Sequence, residues 1–258
     1  MTGTGAVRVG APLVVILALL AAWQAFVVLG EVPTLLLPSP TDIAAVLAED
    51  LAYLTRLALA TGRDAGIGTV VAVVAALLVG WVVHGSNALS SMISSLAVAL
   101  KALPIVALFP IVTVFLGKTS VAVIAIVAIS GLPIMLVYTL QGLRQSSRLD
   151  DLMHVIAAGP VRRTWSLRLP RAVPFLVTGL RTVLPLSVIT AIIAEYFGGQ
   201  ITTLGTYIRR ESANLHTVTM WSAIVMACLL GLVCSGIGLL VERLARAATP
   251  GVRAESTH

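Results

Sequence analysis

Long apolar runs, each close to the length that crosses a lipid bilayer, constrain this chain more than any other feature. A transmembrane helix needs about 20 consecutive apolar residues, and the runs cover residues 12–30, 65–83, 88–116, 121–140, 172–197 and 220–244. Only 11% of the 258 residues are charged, whereas soluble domains carry about 25%. The sequence therefore predicts an all-α integral membrane protein with six transmembrane helices in a single domain over residues 1–258. It excludes a water-soluble enzyme and a disordered chain.

Two of these runs depart from a simple apolar helix. The run 12–30 could be a signal peptide, but its apolar core of about 18 residues is long for one and no clear cleavage site follows, so we interpret it as a retained span. The run 88–116 contains Lys101, Pro104 and Pro110. We expect one long, kinked helix entered from the cytoplasm, with Lys101 near the membrane interface, where its ammonium can reach water.

The distribution of basic residues predicts the orientation of the spans, because cytoplasmic loops carry an excess of lysine and arginine. With a cytoplasmic N-terminus, eleven basic residues fall on the cytoplasmic side and five on the other. We therefore expect both termini in the cytoplasm. Arg181 lies within the fifth run and belongs to neither side.

Two connections are longer than turns. Residues 41–63 place apolar side chains at helical spacing, with Glu49 and Asp50 on the other face, which predicts an amphipathic helix on the outer surface. The loop 141–171 is cytoplasmic in this orientation, holds six basic residues and is too apolar for a disordered linker. It is typical of one or two short helices with an exposed apolar face. Such a face either binds a protein partner or lies on the lipid, and the residues alone leave both open.

The sequence offers little to support chemistry. The tripeptide 117–119 imitates the end of a phosphate-binding loop, but Val112 stands where that loop needs glycine. The four histidines are scattered, and neither HExxH nor GxSxG occurs. Cys228 and Cys234 share one apolar run at a spacing that suits neither a CxxC site nor a local disulfide. We predict no catalytic residue, no metal and no cofactor in this chain.

Glu195 is the acidic residue that most invites a functional interpretation. It lies at the end of the fifth run, on the predicted outer side. The surrounding segment, 194–199, ends in two glycines. A carboxylate at the edge of a span is costly unless it is solvated or paired. Either it faces a substrate vestibule, or it holds the glycine-rich connection by accepting hydrogen bonds from backbone N–H groups. We favour the second interpretation.

The loop 141–171 carries a motif that resembles one in the permease subunits of bacterial binding-protein-dependent ABC importers. That motif reads Glu-Ala-Ala, three residues, Gly, nine residues, an aliphatic residue, any residue and Leu-Pro. Its second half matches Leu167, Leu169 and Pro170. Its first half departs at four positions, which carry Asp151, Leu152, Met153 and Ala157.

Other segments agree with the same family in the same order. They are residues 37–40, 61–66, 101–110 and 194–205. More narrowly, the chain is similar to the nitrate/sulfonate/taurine branch, which also includes thiamine-precursor and riboflavin permeases. The resemblance covers roughly residues 35–245.

The resemblance implies a type I ABC importer permease architecture in the bacterial inner membrane, with a coupling helix in the loop 141–171. The implied partners are a cytoplasmic ABC ATPase dimer that holds ATP and Mg, a second permease, and an extracytoplasmic solute-binding protein, with no nucleic acid. The residues implied to contact the ATPase are Asp151, Leu152, Met153, Ala157, Gly159, Leu167, Leu169 and Pro170. Because Leu152 and Met153 would overfill a groove shaped for two alanines, a heterodimer with a different permease stays open.

The substrate is the least determined property. The branch implies uptake, by alternating access, of a small organic anion such as a sulfonate or of a vitamin-like heterocycle. Candidate residues along the substrate path are Glu195, Tyr196, Tyr138, Thr113 and Ser187. The alternative is an ion-coupled secondary transporter that works without an ATPase. Such proteins usually show inverted repeats and intramembrane carboxylates. The six runs show no clear repeat, and their middle regions lack carboxylates.

Overall fold

The computed structural model describes residues 4–102, 104–144, 169–199 and 202–248, and in these ranges the chain is built of helices joined by short turns. The helices are α1 (Thr4–Leu29), α2 (Pro40–Glu49), α3 (Leu51–Val83), α4 (Asn87–Leu100), α5 (Ile105–Leu116), α6 (Ser120–Arg144), α7 (Leu169–Gly198), α8 (Leu204–Ala213) and α9 (Thr217–Ala248). Four of them, α3, α6, α7 and α9, are long and apolar enough to cross a membrane. The prediction of an all-helical membrane protein is confirmed at this level.

The centre of the bundle lies between α3, α6 and α7. Its buried residues are Ala65, Phe109, Val123, Ile126, Val127, Val188, Ala191 and Ala194. Small side chains let the helices approach closely here, since a Cβ added to Gly68 of α3 would lie 2.6 Å from the Cβ of Val127 on α6. Close packing of this kind holds spans together in lipid, where no hydrophobic force acts between helices.

A second apolar cluster closes one end of the bundle, which we call the α8 end. It comprises Leu54, Leu57, Ala58, Leu204, Tyr207, Ala223 and Met226, so α8 packs on the first turns of α3 and α9. In the predicted orientation this is the outer end.

The segment 41–63, expected as one amphipathic helix, is divided between two helices. A capping box begins α2: the Oγ of Ser39 accepts a hydrogen bond from the Asp42 N–H (3.2 Å), and the Ser39 N–H donates to the Asp42 carboxylate (3.3 Å). α2 ends at Glu49, and α3 runs without interruption from Leu51 to Val83. The apolar side of 51–63 packs against α8 and α9, so burial by neighbouring helices extends the span through these residues.

The third apolar run, 88–116, is two helices and not one kinked helix. α4 ends at Leu100 and α5 begins at Ile105. Pro104 lies in the break and is the N-cap of α5, because proline disfavours helix in the residue before it but starts a helix readily.

The two halves of this run place Lys101 level with the middle of α6, with its side chain exposed. Arg144, the last residue of α6, donates to the Asn87 carbonyl and to the Ser91 Oγ, both at 3.0 Å, so α4 starts beside the end of α6. About four turns later, Lys101 lines a cavity together with Pro133, which is about midway along α6. We expected Lys101 near an interface, and the break in the helix moves it towards the middle of the span.

Candidate functional site

Glu195 lies fully buried where α3, α7 and α8 meet. Its Oε2 accepts hydrogen bonds from the Thr61 hydroxyl (2.9 Å) and from the Gly205 N–H (3.0 Å). The Thr61 hydroxyl oxygen in turn accepts a bond from the Leu204 N–H (3.1 Å). Both N–H groups belong to the first turn of α8, where backbone donors have no partner within the helix and a negative charge is favourable. Glu195 therefore anchors the start of α8, as the second of our two interpretations describes.

Gly205 permits this contact because it has no side chain. A Cβ there would overlap the Ile192 carbonyl oxygen and would lie 2.6 Å from the Glu195 Cβ. The sequence indicated Thr61 and Gly205 only as parts of family-like segments. Their link to Glu195 spans 134 residues for Thr61, and no local pattern reveals it.

Asp64 adds a second buried carboxylate one turn after Thr61. It is 1% exposed, and its Oδ1 accepts hydrogen bonds from the Nε (3.0 Å) and NH2 (2.9 Å) of Arg63. In the part of the chain that the structure describes, the Asp64 Oδ2 and the Glu195 Oε1 are buried without a hydrogen-bond partner. The α8 end therefore concentrates acidic groups around Thr61.

A third carboxylate fixes the turn between α8 and α9. The Glu211 side chain is 8% exposed, and its two oxygens pair with the Arg210 Nε and the His216 Nδ1, each at 2.8 Å. Burial by itself would raise the pKa of Glu211, but the hydrogen bonds with His216 and Arg210 outweigh it and hold the pKa below the ordinary value. Arg210 also lies over the Tyr207 ring, 4.8 Å from its centroid. The turn thus depends on an ionised Glu211.

Arg181, which the sequence assigned to neither side, has a half-exposed side chain that pairs with a buried carboxylate. Its NH1 lies 2.5 Å from the Oε2 of Glu242 on α9, and Arg246 binds the other carboxylate oxygen. α9 comes close at this point because Gly238 faces Arg181, where a Cβ would lie 3.1 Å from the Arg181 Cα. Charged groups within a span need such pairing, and this pairing ties α7 to α9.

Two of the five candidate path residues lie together at the α8 end. Tyr196 follows Glu195 in the last turns of α7 and packs edge-on against Phe197, with ring centroids 5.5 Å apart. Tyr196 is 36% exposed, whereas Glu195 is buried.

The other three lie elsewhere in the bundle. Tyr138 of α6 packs at Gly179, sixteen residues before Glu195 on α7 and so about 24 Å of helix away. The Ser187 hydroxyl donates to the Leu184 carbonyl (2.7 Å) within α7, and the Thr113 hydroxyl donates to carbonyls of its own helix α5. The five residues do not form one cluster.

Of the eight residues predicted to contact the ATPase, the structure describes only the last two. Leu169 and Pro170 begin α7. The remaining six, Asp151, Leu152, Met153, Ala157, Gly159 and Leu167, lie outside the described residues. Across the described ranges, no group of three or more His, Cys, Asp or Glu side chains is arranged to hold a metal ion.

Long apolar helices that pack through small residues and bury their paired carboxylates define a helical membrane protein that crosses the bilayer several times. Residues 68–249 match the family described as the binding-protein-dependent transport system inner membrane component. Because the match covers more than half of the chain, the protein belongs to this family.

Curated relatives agree with the family. The formylaminopyrimidine transport permease protein ThiX of Halalkalibacterium halodurans is 28% identical over 76% of this chain and 79% of its own length. The riboflavin transport system permease protein RibX of Chloroflexus aurantiacus is 29% identical over 90% of this chain and 87% of its own. A probable ABC transporter permease protein of Haemophilus influenzae is 24% identical over 85% and 90%. The chain is therefore an ABC transporter permease and not an enzyme, and ATP hydrolysis belongs to a separate ATPase.

Solved structures show the same fold. Two crystal forms of the inward-facing MetNI methionine ABC transporter contain a chain that superposes with TM-scores of 0.63 and 0.65. The similarity covers 76% of this chain and 97% or 98% of those chains, at 17% identity. At that identity the likeness shows the type I permease fold alone.

Proposed function

We propose that this chain is the membrane-spanning subunit of an ATP-driven importer that takes up a small organic solute by alternating access. The observation that carries the proposal is the family match over residues 68–249. In this proposal an extracytoplasmic binding protein delivers the solute. A cytoplasmic ATPase dimer, which binds ATP and Mg, drives the switch between inward-open and outward-open states.

The coupling to the ATPase is assigned to the loop 141–171. Asp151, Leu152, Met153, Ala157, Gly159 and Leu167 would contact the ATPase, and Leu169 and Pro170 would pass its motion to α7, which they begin. α7 is tied to α9 through Arg181 and Glu242 and to α8 through Glu195 and Gly205. A displacement at the start of α7 would therefore reach both ends of the bundle.

Assembly and topology complete the proposal. The chain would have six spans and a cytoplasmic location for both termini, and it would pair with a second copy or with a different permease. Glu195, Tyr196, Tyr138, Thr113 and Ser187 are proposed to border the solute path.

Support for the solute class comes from the relatives. ThiX is named for formylaminopyrimidine and RibX for riboflavin, which favours a heterocycle, while the sequence branch also includes carriers of organic anions such as sulfonates.

The test is purification of this chain from its native membrane in mild detergent, with partners identified and counted by mass spectrometry. We expect a P-loop ATPase at a ratio of one per permease, and ATP-dependent uptake after reconstitution. Asp151→Arg, placed at the proposed contact, should release the ATPase, whereas Arg253→Gln near the C-terminus should not. Transport by the isolated chain without ATP would replace this proposal with the ion-coupled secondary transporter.

A further inference from the structure

A cavity of about 420 Å³ lies between the α4–α5 break, α6 and α7. Binding sites for small organic molecules range from about 300 to 1,000 Å³ and are mostly apolar, with a few placed polar groups. This cavity fits that description. Its apolar walls include Leu108, Leu132 and Ile193, and its polar lining is Lys101, Ser130 and Thr190. None of the five path residues named above lines it.

Lys101 places an exposed positive charge at the cavity. It lines the cavity together with Pro133, which is about midway along the span α6. Among the described residues, its ammonium has neither a carboxylate nor another hydrogen-bond partner. An ionisable side chain inside a membrane is costly and normally faces a partner or a substrate pathway. Because its side chain is exposed, Lys101 can pair with an anionic group in the cavity.

The backbone around Lys101 also favours the binding of an anion. The chain is unwound between α4 and α5, and broken helices occur at membrane depth where they line a cavity. The N-terminal end of α5, which follows the break, carries the positive end of its helix dipole. Both the charge and the dipole favour an anion.

Two hydroxyl groups supply the neutral contacts. Ser130 of α6 is 5% exposed and Thr190 of α7 is 7% exposed, and their oxygens lie 3.3 Å apart across the two helices. Pro133 lacks an N–H, so the Ile129 carbonyl of the cavity wall receives no hydrogen bond from position 133. These groups can accept or donate to a polar substituent next to a charged one.

We propose that this cavity binds the transported solute during its passage, and that the solute is an organic anion with a compact apolar or aromatic body. Lys101 pairs with the anionic group, Ser130 and Thr190 hydrogen-bond to the body or to the same group, and the leucine and isoleucine side chains enclose the apolar part. The inference rests on the proposed function and names the solute class and the site that recognises it.

The chain contains only two lysines, Lys101 and Lys118, which allows a direct test by amine labelling. The permease, purified with its ATPase and placed in phosphatidylcholine nanodiscs, is methylated with formaldehyde and borane, and each lysine is quantified by peptide mass spectrometry. The probes are benzenesulfonate, benzoate and phenyl phosphate, with methyl phenyl sulfone as the neutral analogue. Lys118, exposed beyond the end of α5, is the internal reference.

We expect at least one of the three anions to protect Lys101 and none to protect Lys118, while the sulfone protects neither. In Ser130→Ala/Thr190→Val the half-protecting concentration should rise roughly tenfold, as for the loss of a hydrogen bond to a charged group. Lys101→Met should abolish binding of the radiolabelled protecting anion, and Lys118→Met should leave it unchanged.

Several outcomes would overturn the inference: equal protection by the sulfone, equal protection of both lysines, protection by none of the anions, or a Lys101 that is not methylated at all. If the ATPase co-purifies and drives uptake while Lys101 stays unprotected, the inference fails and the proposed function stands. If no ATPase co-purifies, the proposed function fails first, whatever the labelling shows.

Discussion

Glu195 shows how one buried carboxylate can serve structure at the edge of a membrane span. Its Oε2 accepts from Thr61 and from Gly205, so it joins the start of α8 to α3 and α7. The protein loses this junction if the side chain is removed, because the Gly205 N–H and the Thr61 hydroxyl are then buried without this acceptor.

We expect Glu195→Ala to lower the free energy of unfolding by about 1–3 kcal/mol and Glu195→Gln to lower it less, since the amide oxygen can still accept from Gly205. Thermal unfolding in detergent measures both, with the exposed Glu49→Ala as control. A variant that unfolds normally and still binds the ATPase, but no longer transports, would favour the substrate-path interpretation.

At the scale of the element, ion pairs join neighbouring helices and stabilise the turns between them. Glu242 of α9 lies between Arg181 and Arg246, and Glu211 lies between Arg210 and His216. The first pairing joins two spans, and the second closes the turn that leads from α8 to α9.

Loss of Glu242 should leave the half-exposed Arg181 without its carboxylate partner on α9, so Glu242→Gln should lower the melting temperature. Removing both charges in Arg181→Gln/Glu242→Gln should recover part of that loss, because the only cation of this pairing left without its partner is then Arg246, whose side chain is 68% exposed to solvent. The exposed Arg243→Gln, one residue away, should have little effect. Equal loss in the single and double variants would show that the pair contributes nothing specific.

The α8–α9 turn should weaken in acid. Since the pKa of Glu211 is lower in the folded protein than its ordinary value of 4.5, its stabilising contribution is present above that pH and is lost as the pH falls through the folded pKa. The hydrogen-exchange protection factors of residues 204–220, corrected for the slower intrinsic exchange in acid, should therefore fall below about pH 4.5. Glu211→Gln should remove the pH dependence in this segment; an unchanged pH profile would assign it to another group.

At the scale of the whole molecule, the bundle has two ends whose turns are predicted to face opposite sides of the membrane. Gly85 lies in the turn from α3 to α4, and Lys118 lies in the turn from α5 to α6. Both residues are exposed, so they form a matched pair for measuring orientation.

In a background with Cys228→Ala and Cys234→Ala, we expect Lys118→Cys to react with a membrane-impermeant maleimide in intact spheroplasts. Gly85→Cys should react only after the membrane is opened, because the basic residues predict a cytoplasmic location for that turn. The reverse pattern of labelling would invert the proposed topology.

The sequence by itself determined the class of fold, because apolar runs of bilayer length can be satisfied only by helices that pair their backbone groups internally. It also placed α1, α6, α7 and α9 close to their observed positions, since those runs are continuous. The motif ending in Leu169 and Pro170 indicated the family for a similar reason: it is local and can be read along the chain.

Tertiary structure alone decided the properties that depend on distant pairs. The sequence could not show that residues 51–63 extend a span, because α8 and α9 bury their apolar side. Nor could it pair Arg181 with Glu242, or bring Lys101 into one cavity with Ser130 and Thr190, because these residues lie 29 to 89 positions apart. Periodicity and composition indicate which residues must be buried or paired, while the packing of helices determines which neighbour buries or pairs with each of them.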